Sequence, residues 1–289
     1  LVWVGRDGVA RAVDSSWSGV MTGRPALSPD GRSAAVTMVA VSGQQIWVKQ
    51  LDRGPATRVA DIGSAPSWSL DGRSLLFATT PSGGSLQTVP ADGSVLPSGI
   101  PGRGETPQSS PDGQWVIYTK AGDIFGRRTS GDTAEVPLVQ DPGSQSVPSL
   151  SPDGRWLAYA SDESGNFQVY VRPFPDTKVA KRQVSTNLAY APRWSRSGRE
   201  LFFVQRDDAD SPGLWSLDVV PAAAFTTGIP KRLFSTVPYA PGPTNHFDVS
   251  ADGQRFLFTR AVGSVAADAA QDRIVIVQNF AAELRGKVP

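Results

Sequence analysis

The chain of 289 residues has no cysteine and a single histidine, His246. Without cysteine there can be no disulfide, no thiolate nucleophile and no thiolate metal site. With one histidine, a Ser-His-Asp triad would have a single candidate base. A histidine-based metal centre would lack its other histidine ligands. We therefore expect no catalytic residue, no metal and no other cofactor.

An excess of one charge and long hydrophobic runs are also missing. The 28 basic and 27 acidic residues give a formal charge of +1. Because no cluster of Lys and Arg stands out, we expect no nucleic-acid partner. No apolar run approaches the ~18 residues of a membrane span. Since the chain starts at Leu1 and not at methionine, we expect an upstream segment, with a membrane anchor there as one alternative.

What the sequence does contain is a repeat. A short motif returns six times, as SPDGRS at Ser28, SLDGRS at Ser69, SPDGQW at Ser110, SPDGRW at Ser151, SRSGRE at Ser195 and SADGQR at Ser250. Successive copies are 41, 41, 41, 44 and 55 residues apart. Periods of this length are typical of solenoids, propellers and arrays.

Each copy is followed by short apolar runs rich in β-branched and aromatic residues, such as WLAYAS after Ser151. Runs of this length predict strands, and about four of them fit into each unit. Four strands in a unit of 40 to 45 residues is typical of a propeller blade. The sequence therefore predicts an all-β fold, a six-bladed β-propeller of four-stranded antiparallel blades.

The Asp-Gly pair of the motif lies between two predicted strands. A tight turn there needs a residue that accepts positive φ, which Gly does, while Asp hydrogen-bonds to its own backbone. We interpret these residues as structural turn residues and not as catalytic carboxylates: Asp30, Gly31, Asp71, Gly72, Asp112, Gly113, Asp153, Gly154, Gly198, Asp252 and Gly253.

The two ends of the chain suggest how the ring closes. The opening LVWVGRDGVARAV reads as two strands without a motif, and the sixth unit ends in a strand-like run at 274–280. We predict that N- and C-terminal strands together complete the last blade, which removes an exposed sheet edge. Residues 1–289 are predicted to form one domain.

The repeated S-P-D-G followed by an apolar strand resembles the TolB-type, or PD40, propeller repeat over residues 28–260. Longer stretches, including SDESGNFQVYVRPFPD at 161–176 and FDVSADGQRFLF at 247–258, are similar to the C-terminal propeller region of bacterial serine/threonine kinases of eukaryotic type. That resemblance implies a propeller outside the inner membrane. The sequence contains none of the kinase motifs, so phosphoryl transfer is not expected.

Four residues are candidates for contacts with a protein partner: Trp17, Tyr239, Asn245 and His246. Trp17 lies in a loop outside any motif, and the other three belong to the Pro-rich segment 237–246, in the longest spacing of the repeat. Long connections often carry function, and prolines lower the entropy cost of presenting aromatic side chains. A simple connector is the alternative for 237–246, and a loop-fixing hydrogen bond is the alternative for His246.

Function must be argued from a site, because unrelated activities share the propeller scaffold. The first hypothesis is a non-catalytic binding or scaffolding module, periplasmic or otherwise extracytoplasmic, that docks onto proteins of a membrane-associated assembly. The alternative is a small-molecule sensor that uses the central pore. A hydrolase site in the pore is the third and least favoured hypothesis, and the chain is predicted not to be an enzyme.

Overall fold

The computed structural model describes residues 1–52, 54–206, 211–220, 224–239 and 247–260. Within these residues the chain forms strands and turns, without an α-helix. The strands make six antiparallel sheets in chain order, each of which is one blade of a closed ring. The predicted all-β, six-bladed propeller is confirmed.

The bounds of the strands follow the repeat. Blade 1 contains β3 (Met21–Leu27), β4 (Ser33–Ala40), β5 (Gly43–Gln50) and β6 (Ala56–Ala60). Blade 2 contains β7 (Ser64–Trp68), β8 (Ser74–Ala78), β9 (Ser85–Pro90) and β10 (Ser98–Arg103). Blade 3 contains β11 (Glu105–Ser109), β12 (Trp115–Lys120), β13 (Asp123–Arg128) and β14 (Glu135–Val139).

The other three blades are less uniform. Blade 4 contains β15 (Gln145–Leu150), β16 (Trp156–Ser161), β17 (Gln168–Pro173) and β18 (Arg182–Gln183). Blade 5 contains β19 (Ala189–Trp194), β20 (Glu200–Arg206), β21 (Pro212–Val220), β22 (Thr226–Thr227) and β23 (Lys231–Ser235). Blade 6 contains β24 (Asp248–Val249), β25 (Arg255–Phe258), β1 (Val2–Gly5) and β2 (Ala10–Ala12).

The first strand of each blade lines the centre of the ring, and the connections divide the molecule into two faces. The motif turns join first to second strands on one side, which we call the motif face. The hairpins between second and third strands, such as that between β4 and β5, lie at the other end of the strands. We call that side the hairpin face.

The motif turns repeat one set of hydrogen bonds. At Asp71, the carboxylate accepts from the Ser69 hydroxyl at 2.7 Å and from the Arg73 amide at 3.0 Å, while the Ser69 hydroxyl oxygen accepts from the Ser74 amide at 2.9 Å. The motif glycines, from Gly31 to Gly253, all have φ between 68° and 72°. In blade 5, Ser197 stands where the other motifs have Asp, and its hydroxyl accepts from the Arg199 amide at 3.3 Å.

The prediction that strands from both ends of the chain complete the last blade is confirmed, and only the strand order of blade 6 differs from the expectation. The third position of blade 6, next to β25, is taken by the N-terminal strand β1, whose residues from Val2 to Gly5 pair with those from Phe258 to Arg255. The strand β2 then forms the outer edge. The predicted run at 274–280 lies outside the described residues. The N-terminus therefore supplies two strands of the last blade.

Blade 5 also differs, since it has five strands where four were predicted. The strand β21 is nine residues long, and its two halves pair with different partners, β22 through Val219 and Val220 and β23 from Gly213 to Ser216. A long third strand is thus covered by two short strands.

The seam between blades 5 and 6 is aromatic. Six buried rings meet there: Phe202, Phe234, Tyr239, Phe247, Phe256 and Phe258. Neighbouring centroids are 5.0 to 6.3 Å apart, a range in which aromatic pairs attract. Val4 of β1 is fully buried in the same cluster. Closure therefore combines strand pairing with a packed apolar seam.

The first prediction tests this closure. Val4→Ala removes two methyl groups from the buried seam and should lower the free energy of unfolding by about 2 kcal/mol. Val9→Ala, on the exposed turn of the same hairpin, should change it by less than ~0.5 kcal/mol. Guanidinium unfolding measures both. Equal effects would show that β1 does not seal the ring.

The second prediction concerns the pH dependence of stability. Hydrogen bonds from Arg73 and Ser69 lower the pKa of Asp71, and bonds from the motif serine and a turn amide lower the pKa of Asp112 and of Asp252. A carboxyl whose pKa is lower in the folded state contributes stability above its unfolded pKa, near 4, and loses it as the pH falls through the folded value. We therefore expect the difference in urea unfolding midpoint between pH 6 and pH 3 to be smaller in the triple variant Asp71→Asn/Asp112→Asn/Asp252→Asn than in the parent chain.

The matched control replaces three exposed aspartates outside the motif turns with Asn, at positions 52, 132 and 176. Urea unfolding at both pH values compares the two triple variants with the parent chain. If the control variant narrows the difference as much as the motif variant does, the motif turns are not the source of the acid sensitivity.

Candidate functional site

The central channel is built from irregular inner strands. In β7, β11, β15 and β19 a bulge shifts the register, and one non-glycine residue adopts positive φ, namely Ala65, Thr106, Val147 and Ala191 at 47° to 57°. Such bulges bend a strand and re-aim its side chains. Four equivalent bulges therefore shape the wall of the channel in the same way.

Blade 1 departs from this pattern. Between the pairs Thr22↔Thr37 and Ala26↔Ala35, β3 advances four residues while β4 advances two. The equivalent inner strands advance three residues against two. The positive φ falls here on Gly23, at 68°, and the extra residue is accommodated in the segment that contains Arg24. The longer bulge places Arg24 on the channel wall.

A second set of channel residues recurs two positions before each motif serine: Ala26, Ser67, Gln108, Ser149, Arg193 and Asp248. Several of them link neighbouring blades. The Ser67 hydroxyl donates to the Pro107 carbonyl at 2.6 Å, and the Asp248 carboxylate accepts from the Leu27 amide at 2.7 Å. This ring of six positions therefore holds the inner strands together at the middle of the channel.

Two cavities of about 350 and 360 Å³ meet at this level. The first, which we call the hairpin-side cavity, is lined by the beginnings of the inner strands, and the second by their ends and the motif turns. Arg24, Gln108 and Arg193 line both cavities. We call this shared level the waist.

The waist holds two guanidinium groups that form no ion pair with another described residue. Arg193 is only 5% exposed, its Nη1 donates to the Pro192 carbonyl at 2.6 Å, and its Nε has no hydrogen-bond partner within the described residues. Burial lowers the pKa of Arg193 well below its usual value, and the nearby Arg24 lowers it further, while Asp248 opposes the shift. Burial likewise lowers the pKa of Arg24. Since a guanidinium stays protonated in proteins, Arg193 is a desolvated cation and the half-buried Arg24 is a partly desolvated one.

Asp248 does not neutralise them by direct contact. Its two oxygens accept from the Leu27 amide at 2.7 Å and from the Val249 amide at 2.9 Å. In the part of the chain that is described, it forms no ion pair within 4 Å of Arg24 or Arg193. Two guanidinium groups and one carboxylate leave one net positive charge at the waist. The arrangement suits an incoming anion.

Trp17 and Tyr239, predicted to contact a partner, touch the chain itself. Trp17 is half-buried beside Lys49, whose Nζ lies 6.0 Å from the ring centroid and 2.8 Å from Asp14. Tyr239 is 6% exposed, and its hydroxyl donates to the Gly8 carbonyl at 3.0 Å. Its ring thus belongs to the seam that closes the propeller.

Asn245 and His246 lie outside the described residues. The structure also brings the predicted turn residues together on the motif face, away from the waist. Among the described residues, no three acidic or histidine side chains come together in a metal-binding arrangement. Of the predicted contact residues that the structure describes, neither Trp17 nor Tyr239 lines the waist.

Sequence reasoning missed Arg24, Arg193 and Asp248. The sequence did distinguish two of them. The position two residues before the motif serine holds a small or uncharged polar residue in the first four units, whereas the last two units have Arg193 and Asp248 there. Arg24 had no such signal, since its placement depends on the longer bulge of β3. The informative residues are those at which the repeat departs from itself.

Comparison with solved structures identifies the fold. TolB from Agrobacterium tumefaciens aligns with a TM-score of 0.68 and 20% identity, over 90% of this chain and 96% of that protein. TolB from Acinetobacter baumannii aligns with a TM-score of 0.60 and 18% identity, over 80% of this chain and 65% of that protein. No protein-family model and no curated protein matches the sequence. The chain has the fold of TolB-type propellers.

Other propellers with this fold are named as enzymes. The periplasmic gluconolactonase of Pseudomonas aeruginosa aligns with a TM-score of 0.54 and 22% identity, over 89% of each chain. An oligogalacturonate lyase and a 6-phosphogluconolactonase also align. The prediction that the chain is not an enzyme is therefore wrong as an exclusion. It relied on the lack of cysteine and on the single histidine, which count against catalytic arrangements known from other architectures, and the propeller scaffold itself is compatible with catalysis.

The third prediction contrasts two buried arginines. Arg193→Met removes a desolvated and unpaired charge, so we expect the free energy of unfolding to rise by about 1 kcal/mol or more. Arg172→Met should instead lower it by about 3 kcal/mol, because Arg172 donates to the Tyr159 hydroxyl and the Thr177 carbonyl, each at 2.8 Å, and pairs with Asp141. Calorimetry compares the two variants. A loss of stability in Arg193→Met similar to that in Arg172→Met would contradict the claim that Arg193 has no ion-pair partner among the described residues.

Proposed function

We propose that this chain is a binding module that docks onto a protein partner through its hairpin face. The observation that carries the proposal is a group of exposed aliphatic side chains on that face, which we call the aliphatic patch: Val20, Val39, Val41 and Ile62. Contiguous exposed apolar surface on a soluble domain is typical of an interaction site.

The patch is continuous through the backbone beneath it. The Val39 amide donates to the Val20 carbonyl at 2.8 Å, and Val39 pairs with Gln44 across the hairpin between β4 and β5. The Gln44 carbonyl accepts from the Gly63 amide at 2.8 Å, which brings Ile62 to the same place. These contacts join a strand end, a hairpin and an interblade loop into one surface.

The patch also borders the channel. Thr22 and Gln44, close in sequence to Val20 and Val41, line the hairpin-side cavity. A partner that covers the patch would therefore also cover one mouth of the channel. Interfaces of this kind combine an apolar centre with polar groups around it.

The resemblance to kinase propeller regions supports an extracytoplasmic, membrane-associated setting for the proposed module, as one domain over residues 1–289. The gluconolactonase of Pseudomonas aeruginosa, which has this fold, is periplasmic, and this agrees with that setting. A propeller of the nidogen/laminin complex, which aligns with a TM-score of 0.57 at 13% identity, illustrates the fold within a protein assembly. Among the described residues, no helix has the length and hydropathy of a membrane span.

A second candidate function is small-molecule sensing through the channel. The observation that favours it is the buried guanidinium of Arg193 at the waist, whose Nε has no hydrogen-bond partner within the described residues. Convergent polar groups in an enclosed pocket are typical of ligand sites. The two functions are compatible, because the aliphatic patch lies outside the lining of the hairpin-side cavity and the waist lies within it.

The fourth prediction tests docking. Val39→Lys/Val41→Lys places two charges in the aliphatic patch and should reduce recovery of the partner at least about tenfold, since burying one aliphatic side chain is worth roughly 1.5–3 kcal/mol. Crosslinking mass spectrometry on native membranes, followed by quantitative purification, first identifies proteins that crosslink to residues 20–62 of the parent chain and then measures their recovery with each variant.

The control is Val95→Lys/Leu96→Lys, an equally exposed aliphatic pair in the β9–β10 connection on the motif face. It should leave recovery unchanged. Docking through the hairpin face is rejected if the two double variants lose the partner equally, or if no protein crosslinks to the hairpin face of the parent chain.

A further inference from the structure

Two residues that line the hairpin-side cavity each have one buried polar side-chain atom without a hydrogen-bond partner within the described residues. One is a donor, Nε of Arg193 at the waist, and the other is an acceptor, Oε1 of Gln44 towards the hairpin face. Buried polar groups are rarely left unpaired, and each one costs free energy until a partner arrives. A ligand with an acceptor at one end and a donor at the other would satisfy both.

The waist end has the features of a carboxylate site. A guanidinium presents its donors in a planar fork that matches a carboxylate, and Arg24 adds a second cation beside Arg193. With Asp248 held by backbone amides, the three groups sum to one positive charge. That charge fits a single carboxylate better than a phosphate, which carries more than one negative charge at neutral pH.

The opposite end of the cavity is lined by hydroxyls and one more carboxylate. The lining side chains with a hydroxyl are Thr22, Thr37, Ser64, Thr106, Thr119 and Ser146. Glu105 lies on the same wall, and desolvation raises the pKa of its carboxyl group. Together with Gln44, these oxygens can accept hydrogen bonds from a ligand hydroxyl or ammonium group.

We propose that the hairpin-side cavity binds a small carboxylic acid, with its carboxylate against Arg193 and Arg24 and its hydrogen-bond donors against Gln44 and Glu105. The cavity of about 350 Å³ falls within the range of small-molecule pockets. Two sources share this chemistry, a polyhydroxylated acid and an amino acid. The proposal rests on the sensing function, and it is independent of docking through the aliphatic patch.

The test is isothermal titration of the purified chain with sodium gluconate, L-glutamine, sorbitol and inorganic phosphate. We expect either gluconate or L-glutamine to bind with a stoichiometry of one. Which of them binds shows whether the ligand class is the hydroxy acids or the amino acids. Sorbitol, the neutral analogue of gluconate, should give no heat of binding. Binding of phosphate alone, or equal binding of gluconate and sorbitol, would overturn the proposal.

Variants locate the site. Arg193→Met should weaken binding of the carboxylate at least about tenfold, because it removes a charge-assisted hydrogen bond. Arg193→Lys should give an intermediate loss, since it keeps the charge but not the fork. Arg73→Met, at an exposed motif turn, is the control and should bind like the parent chain. Unchanged affinity in Arg193→Met would overturn the assignment.

Arg24→Gln is a second route to the same question if Arg193→Met fails to fold. It should also weaken binding at least about tenfold, and unchanged affinity would contradict the role of Arg24. The titrations use the chain alone, so they stand whether or not a docking partner is found. In turn, Val39→Lys/Val41→Lys should keep its affinity for the carboxylate, which separates failure of one proposal from failure of the other.

Discussion

The pairing of β1 with β25 is the constraint on which the rest of the structure depends. A row of blades that did not close would expose the apolar faces of its two end blades and would fix no centre. Because the chain begins in the blade in which its last described strands lie, each inner strand faces the others across one channel. The aromatic seam around Phe256 and Phe258 fills the joint at which sequence-distant segments meet. A closed ring can then hold buried side chains at fixed positions on opposite sides of the channel.

These fixed positions keep the charged groups of the waist apart. In a flexible protein, Arg24 and Arg193 would turn towards water or towards Asp248. Here the bulges of β3 and β19 set their backbones, while Asp248 is held by amides of its own blade and of blade 1. The fold therefore maintains desolvated cations at a cost in stability, and such costs are typical of functional sites. Arg172 shows the alternative, a buried arginine that is fully engaged and structural.

The sequence carried more information about the fold than about the site. The period of the SPDG motif and the short apolar runs predicted six blades, because a turn that needs Gly and a strand that needs branched side chains leave a regular trace. Closure of the last blade by the N-terminal strand was predicted too, but its position next to β25 was not, since nothing in VWVG indicates which strand of that blade it pairs with. The second short strand of blade 5 depends on the length of β21, which a pattern of short runs does not reveal.

The site was hidden for a different reason. Ala65 and Val147 adopt positive φ in spite of their β-carbons, so no glycine in the sequence indicates the bulges at these positions. Tyr239 looked like a presented aromatic residue, whereas its ring packs in the seam. The exclusion of enzymatic activity failed because it compared this chain with hydrolases of other folds. In a repeat protein, charged residues at otherwise uncharged repeat positions are the better guide to function.

The most direct test of an anion-binding waist is a crystal structure of the chain grown with gluconate. The account predicts density in the hairpin-side cavity with a carboxylate oxygen about 2.9 Å from Nε of Arg193, the usual length of such a hydrogen bond. A channel that holds only water, with Arg193 turned to pair with Asp248, would contradict it.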